Sequence, residues 1–396
     1  MRTMSTDALM LPFFDGRHPA VLAEASRWLE QEPHIDELDV EDYAGRSRAF
    51  VHSLGRAGLI RHMIPEPADE AANVDVRSIC LVREALCYRS ALADSAYVMQ
   101  GIGAAAIWRH GDEALQRRYL PALRDGTVIP AFALSEPGGG SDVSATQTTA
   151  VRDGADFVID GVKTWTSNAG IADVYLVFAR TGERPGAHGL SAFLVEADNR
   201  GLEVLDRIVV SAPHPMASVR FTGCRVPESA RVGEPGEGFR LAMSTLDIYR
   251  ATVGAAAIGL ARRAFDETLA RIATRRLFGR LMAEMETIQM RVADMHVDLE
   301  TAMLTVYRAA WARDQDAGRR VAAEASLAKL YATEAAHRVI DSAVQLFGGQ
   351  GVTRGCIVEH LFRDIRAFRI YEGASQVQKL ILGRHVVRPF LEASAS

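Results

Sequence analysis

Residues 280–312 contain neither glycine nor proline, and Leu281, Met285, Ile288, Val292, Met295, Leu299, Met303 and Val306 recur every three or four positions. That spacing predicts a single helix with one apolar stripe, roughly 50 Å long at 1.5 Å rise per residue. Such a helix cannot cover its own stripe. A bundle is therefore required, with 239–274, 318–347 and 374–386 as its other predicted helices.

The rest of the chain divides around this bundle. Residues 18 to about 126 read as helices: Pro19 opens AVLAEASRWLE, SICLVREALCYRSALADSAYVMQGIGAAAIWRHG supplies two helices apolar nearly all round, and DEALQRRYLPALRDG supplies a short amphipathic one ending at Gly126. From about 128 to 233 short β-rich runs appear instead: IPAFAL, TTAVRDG, DFVIDG, VYLVFAR, LSAFLVEA, LEVLDRIVV and SVRFTG. Asp153-Gly154 between two of them is a hairpin signal. Strands at this spacing predict a small barrel or sandwich. The expected fold is mainly α with an inserted β domain: an N-terminal helical domain (1–127), a central β domain (128–233) and a C-terminal helical bundle (234–396).

Charge and cysteine content narrow the function. Fifty acidic against 45 basic residues give a formal net charge of −5, which argues against a clustered basic nucleic-acid footprint. Cys80, Cys87, Cys224 and Cys356 form no C-x-x-C pair and no zinc spacing. They read as reduced thiols, and no metal site is expected. The opening MRTMSTDALM has no charged n-region followed by an apolar h-region, and no run reaches 18 apolar residues. The expectation is a cytoplasmic protein without a membrane partner.

Four segments can carry chemistry, and each has a plainer reading. Ser135-Glu136-Pro137-Gly138-Gly139-Gly140-Ser141-Asp142 follows a predicted strand and exposes successive N–H groups that can cradle a phosphate or a ring edge; it can equally be a glycine-rich hairpin loop. Lys163-Thr164-Trp165-Thr166-Ser167-Asn168 places an indole among hydroxyls, suited to stacking beside a flat cofactor or to packing on the core. In Ile370-Tyr371-Glu372-Gly373 a carboxylate desolvated by its neighbours can act as a base, or can be an ordinary residue at a helix N-terminus. Asp247 and Arg250, three apart, can pair with each other or bind a polar ligand.

Taken together, in this order and over essentially the whole chain, these segments resemble the acyl-CoA dehydrogenase family of flavoenzymes. AFALSEPGGGSDV is similar to the family's first signature, WTSNAG to its second flavin segment, and ARRAFDETLARIATRRLFGR to the helix carrying Arg-x-x-Phe-Gly. QLFGGQGVTRGCIVEHLFRDIRAFRIYEGASQVQ is similar to the second signature and the segment of the catalytic base.

The resemblance implies FAD as cofactor, lying between the β domain and the bundle. Phe132, Leu134, Ser135, Gly140 and Ser141 match the first flavin strand and loop. Trp165 and Ser167 match the second, where the hydroxyl donates to flavin N5. Arg275 and Phe278 match residues that reach the FAD of a neighbouring subunit, and Gln345 to Gly349 match the loop on its adenosine part. A homotetramer, a dimer of dimers, is thereby implied. Ala374, in place of a common Thr, and Gln376 lie against the cofactor. Glu372 matches the base that removes the substrate's α proton while the β hydrogen leaves as hydride. Ser141, Asp247, Arg250, Tyr371 and Gly373 match positions on the acyl-CoA site. Tyr249 stands where some branched-chain members place their base, so here it shapes the pocket. The implied partners are acyl-CoA and an electron-transfer flavoprotein.

Departures from the family pattern mark where substrate choice can lie. SAPHPMAS at 211–218 contains His214-Pro215; Glu286, by contrast, replaces a common Gln near the cofactor. Asp94, in an otherwise apolar or small-residue helix, is either a substrate contact or second acid/base, or a structural group that caps the helix at Ser95 or pairs with Arg89. Competing functions are an acyl-CoA oxidase or flavin monooxygenase, a dehydrogenase acting on an acyl carrier protein, and a non-catalytic DNA-binding relative.

Overall fold

A computed structural model of the chain describes residues 9–66, 73–315 and 321–394. The expectations placed on residues 1–8 and 318–320 lie outside these. In chain order the elements are α1 (His18–Gln31), α2 (Tyr43–Arg56), α3 (Val76–Arg89), α4 (Ala91–His110), α5 (Glu113–Arg124), β1 (Pro130–Ala133), β2 (Thr149–Asp153), β3 (Asp156–Ser167), β4 (Val174–Arg180) and β5 (Leu190–Glu196). They continue with β6 (Leu202–Arg207), β7 (Met216–Pro227), β8 (Arg231–Val232), α6 (Gly238–Thr274), the hairpin β9 (Arg276–Leu277) and β10 (Arg280–Leu281), α7 (Glu286–Gln315), α8 (Ala322–Phe347), α9 (Ile357–Phe368) and α10 (Ser375–Ser394). Helical segments thus flank a central sheet, as the sequence pattern predicts.

The chain forms two compact units. One comprises Met1–Val40, Asp75–Asp94 and Asp247–Ser396. It contains α1, α3 and α7 to α10 with most of α6. Val76 to Tyr88 of α3 are all buried, the outcome expected for a helix apolar nearly all round. Small residues in α6 bring its backbone against its neighbours. A Cβ on Gly254 would lie 2.6 Å from Val306 Cγ2 on α7, and one on Gly259 would lie 2.3 Å from the Glu84 carbonyl oxygen on α3. Glu84, which this packing buries, is paired: it accepts from Arg262 Nε at 2.7 Å and from Tyr307 Oη at 2.8 Å.

The other unit comprises Glu41–Val74 and Ser95–Leu246. Asp42 and Asp112 cap α2 and α5 by accepting from Gly45 N and Leu115 N, each at 2.8 Å. The strands form one eight-stranded sheet, ordered β6-β7-β3-β2-β4-β5-β8, with β1 parallel to β4. Among the described residues, strands of its two halves pair with each other only where Thr149 of β2 is in register with Arg180 of β4. At that narrow junction the sheet folds on itself. Phe157 of β3 and Phe193 of β5 are not on adjacent strands, yet their rings lie 4.9 Å apart in the apolar interior. The expected β2–β3 hairpin turns at Gly154, whose φ of +67° suits glycine.

Several boundaries differ from the sequence expectation. Residues 280–285 do not begin the long helix: they close the β9–β10 hairpin and a short 3-10 turn, and α7 starts at Glu286. Gly279, with φ of +81°, turns that hairpin, and periodicity downstream of it carries no signal for the turn. Helices α2 and α9 lie within the stretches expected to be helical but have no periodic run of their own that delimits them, and α10 runs to Ser394 rather than 386. Among the described residues no helix is long and apolar enough to cross a membrane.

Candidate active site

Glu372 lies between α9 and α10, three residues ahead of the α10 start at Ser375, rather than in that helix's first turn. The linking loop is closed by Ser375 N donating to Arg369 O at 3.1 Å. Glu334 anchors it from α8, accepting from Arg369 Nη2 at 2.6 Å and Ser375 Oγ at 2.7 Å. Glu372 has φ of +52°, a left-handed conformation costly for a non-glycine residue, and Gly373 follows at +90°. Two buried donors meet at the next carbonyl: Gly373 O accepts from Lys329 Nζ at 2.9 Å and from Gln378 Nε2 at 2.8 Å. The backbone is therefore pinned on both sides of the carboxylate.

The side chain itself is left open. Glu372 Oε2 is buried and makes no hydrogen bond among the described residues. Burial pushes the Glu372 carboxyl above the ordinary glutamate range, against the opposing pull of Arg83, Lys329 and Arg250. Beside it, burial raises the Tyr371 phenol well above its usual value. A carboxylate with a free buried oxygen and a raised pKa is equipped to take a proton.

Arg83 faces this group from α3. Its Nε and Nη2 donate to the two Asp94 oxygens at 2.8 and 2.7 Å, and Nη1 donates to Thr252 Oγ1 at 2.8 Å. Both partners are almost wholly buried, Arg83 at 1% and Asp94 at 2% exposure. Both structural readings given for Asp94 are thereby corrected. It does not cap a helix, because Asp94 N already donates to Ser90 O inside α4, and it does not pair with Arg89, which binds Asp36. On α6, Arg250 Nη1 donates to Asp247 at 2.8 Å, so the expected pair forms. Arg250 Nε remains a buried donor without a hydrogen-bond partner among the described residues. Tyr249, on the same helix, is fully buried.

In the other unit, the glycine-rich segment and the end of β3 are stitched together. Thr164 N donates to Ser135 O at 2.9 Å. Lys163, fully buried, donates to Leu134 O at 3.1 Å and to Glu136 Oε1 at 2.9 Å. Glu136 also accepts from Gln147 N and Thr148 N. Lys163 and Glu136 both stand in the segments that the sequence offers, but the sequence reading gives neither a role of its own, although a lysine inside an apolar strand is an available signal. Burial lowers the Lys163 ammonium to about 8 despite the Glu136 partner. The loop at Gly138 and Gly140 is open. Trp165 is 58% exposed with φ of +54°, so the reading that packs it on the core is overturned. Ser167 Oγ lies 3.4 Å from His214 Nε2, and His214 Nδ1 lies 3.2 Å from Ala212 O. A carbonyl only accepts, so Nδ1 carries the proton and Nε2 accepts from Ser167. Phe132 packs on Phe178, ring to ring at 5.0 Å.

Arg275 and the Gln345–Gly349 segment come together in a cleft of about 460 Å³, floored by Leu346 and Phe347. Arg271 shapes it, donating to the Leu346 and Phe347 carbonyls and to Gln350 Oε1. Phe278 projects from the adjacent hairpin with 96% of its surface exposed. Glu286, Gln345 and Gln376 are exposed, and Ala374 is half-buried.

Comparison with known proteins decides the family. Residues 17–127, 131–224 and 236–387 match, in turn, the models described as acyl-CoA dehydrogenase N-terminal, middle and C-terminal domains. The chain belongs to the acyl-CoA dehydrogenase family. Among relatives, it is 35% identical to cyclohexane-1-carbonyl-CoA dehydrogenase of Geobacter metallireducens, over 84% of this chain and 87% of that one. It is 33% identical to the mitochondrial short-chain specific acyl-CoA dehydrogenase of Rattus norvegicus, over 91% and 87%. Butyryl-CoA dehydrogenase from Megasphaera elsdenii shares the fold with a TM-score of 0.85 at 29% identity, covering 94% of this chain and 99% of that one.

FAD is the cofactor of this acyl-CoA dehydrogenase family member, and the residues present fit it. An exposed indole, flanked by the Ser167 hydroxyl and an open glycine-rich loop, offers a flat face with polar edges.

Proposed function

We propose that the protein converts an acyl-CoA thioester to the 2-enoyl-CoA, with Glu372 as the base. The observation that carries this reading is the buried, unpartnered Glu372 Oε2 on a pinned, left-handed backbone. A thioester carbonyl makes its α C–H weakly acidic. Glu372 takes that proton, and its backbone N–H donates to the enolate oxygen as charge develops there. Bound FAD supplies the acceptor for the hydride leaving the β carbon. Asp247 and Arg250 orient the acyl-CoA, while Tyr371 and Tyr249 wall the pocket and exclude water. Phe132, Leu134, Ser135, Gly140, Ser141, Trp165 and Ser167 hold the flavin, with Ala374 and Gln376 against it. Arg275, Phe278, Gln345 and Gly349 serve a neighbouring subunit's FAD.

The same reading makes the protein a homotetramer. Exposed Phe278 and the apolar outer residues of α10, with Phe390 at 72% and Leu391 at 66% exposure, support a surface that a second copy covers. An electron-transfer flavoprotein reoxidises the enzyme. A cytoplasmic location suits its four free cysteines. Family matches over 17–127, 131–224 and 236–387 support the division into domains 1–127, 128–233 and 234–396.

The test is anaerobic mixing of FAD-loaded protein with a panel of acyl-CoA and acyl-carrier-protein thioesters, followed by flavin bleaching. Bleaching by one thioester class with release of the enoyl product, lost in Glu372→Gln, supports the reading. Undiminished bleaching in that variant overturns it. Rapid reoxidation by oxygen points instead to an oxidase.

A further inference from the structure

We infer that Lys329 is the positioning residue for the base at 372: a buried cation on α8 that fixes the 372–373 backbone and favours the carboxylate form of Glu372. The inference rests on the proposed role of Glu372 and assigns a function to a residue outside the four segments singled out from sequence.

Three observations converge. Lys329 is fully buried on an otherwise alanine-rich face of α8. Its ammonium donates to Gly373 O at 2.9 Å, and no carboxylate lies within ion-pair distance of it among the described residues. A buried charge without a counter-ion is expensive, so what it faces must compensate. The groups facing it are Glu372, Arg250 and Glu334. Arg250 repels it and already has Asp247, and Glu334 is engaged with Arg369 and Ser375. Glu372 is the carboxylate left to balance it.

The relation is mutual. Around Glu372 stand Arg83 from α3, Asp94 from α4, Arg250 from α6 and Lys329 from α8, with Tyr371 alongside. Arg83 is neutralised by Asp94 through two hydrogen bonds, and Arg250 is paired with Asp247. Lys329 is thus the cation of this group whose charge is not already matched. Burial lowers its ammonium to about 8, and the Glu372 charge opposes that shift. At neutral pH it stays mainly protonated. Removing it leaves Glu372 desolvated with less positive charge nearby, so the carboxylate form is disfavoured and the base is held as the acid up to higher pH.

Gln378 provides the control for a purely structural role. It donates to the same Gly373 carbonyl at 2.8 Å but carries no charge. Lys329→Met, Lys329→Arg and Gln378→Met are compared with the parent in FAD-loaded protein, reading the pH dependence of anaerobic flavin reduction by an acyl-CoA. Lys329→Met moves the acid limb upward by about one pH unit, a tenfold loss of rate on that limb. Lys329→Arg restores the limb, and Gln378→Met lowers the rate without moving it. A folded Lys329→Met protein with an unmoved limb overturns the inference.

A second measurement needs no change at 329. The chain has only three lysines, Lys163, Lys329 and Lys379, so lysine 13Cε resonances are few enough to assign. By linkage, Glu372→Gln must lower the Lys329 titration midpoint and leave that of exposed Lys379 unchanged. An unchanged Lys329 midpoint overturns the inference even if Lys329→Met does not fold. If Glu372→Gln also reduces flavin at the parental rate, the proposed function itself fails. If that variant is inactive and the Lys329 midpoint stays put, only the assignment of Lys329 fails.

Discussion

Breaking the Arg83–Asp94 pair tests whether the buried charge beside the base is a matched unit. Both side chains are at or below 2% exposure, and two hydrogen bonds of 2.8 and 2.7 Å join them. Asp94→Asn leaves a guanidinium buried without its counter-ion, and Arg83→Met leaves a carboxylate in the same state. Each single change should cost about 3–5 kcal/mol, because the survivor keeps its desolvation penalty and loses its partner. The double variant Arg83→Met/Asp94→Asn buries no charge there and should cost far less than the sum of the two. Urea denaturation followed by far-UV circular dichroism at neutral pH measures all four proteins, and a coupling of about 2 kcal/mol or more is expected. Single losses that simply add, within about 0.5 kcal/mol, refute the reasoning. The singles should also move catalysis in opposite directions. Asp94→Asn removes an anion facing Glu372 and frees a cation, so the acid limb of flavin reduction falls to lower pH. Arg83→Met raises it.

Other expectations follow from individual contacts. Gly259→Ala places a Cβ 2.3 Å from the Glu84 carbonyl, so α3 and α6 must separate; a loss of about 1–3 kcal/mol in the same denaturation assay is expected. Lys163→Met removes a charge-assisted bond to Glu136 and one to Leu134 O, which should weaken FAD binding about ten- to a hundredfold in a fluorescence titration of the apoprotein; unchanged affinity would show that the loop does not depend on this lysine. Asp364 is buried on α9, and burial pushes its carboxyl up to about 6. A folded-state acid raised in this way binds its proton more tightly than the unfolded chain does, so its stabilising contribution is lost as pH rises from about 4 through 6. Asp364→Asn should therefore gain on the parent by about 2 kcal/mol across that window, read as a converging or crossing pair of melting curves between pH 4 and 7.

Much of the fold was legible because it rests on local periodicity. The change from a repeat of three or four to short alternating runs located the sheet between helices, and Asp153-Gly154 located a hairpin. The elements missed or not delimited are those where pattern is silent. The β9–β10 hairpin interrupts an apolar period that continues through it, and α2 is weakly patterned with Gly45 and Gly55 inside it. Sequence also offered Glu372, Asp247 and Arg250 as candidates. It could not distinguish the helix-start reading of Glu372 from a base, because both need the same neighbours in the chain. The left-handed φ and the buried free oxygen separate them.

What the sequence determined alone is what nearest neighbours along the chain determine: the helix and strand periods, the turn glycines and the family signatures. What tertiary structure decided is which charges share a buried volume. Arg83 meets Asp94 rather than Arg89 meeting it, and Lys329 reaches the Gly373 carbonyl across 44 positions of sequence. Electrostatic interaction depends on distance and on exclusion of water, and neither is fixed until the helices have packed.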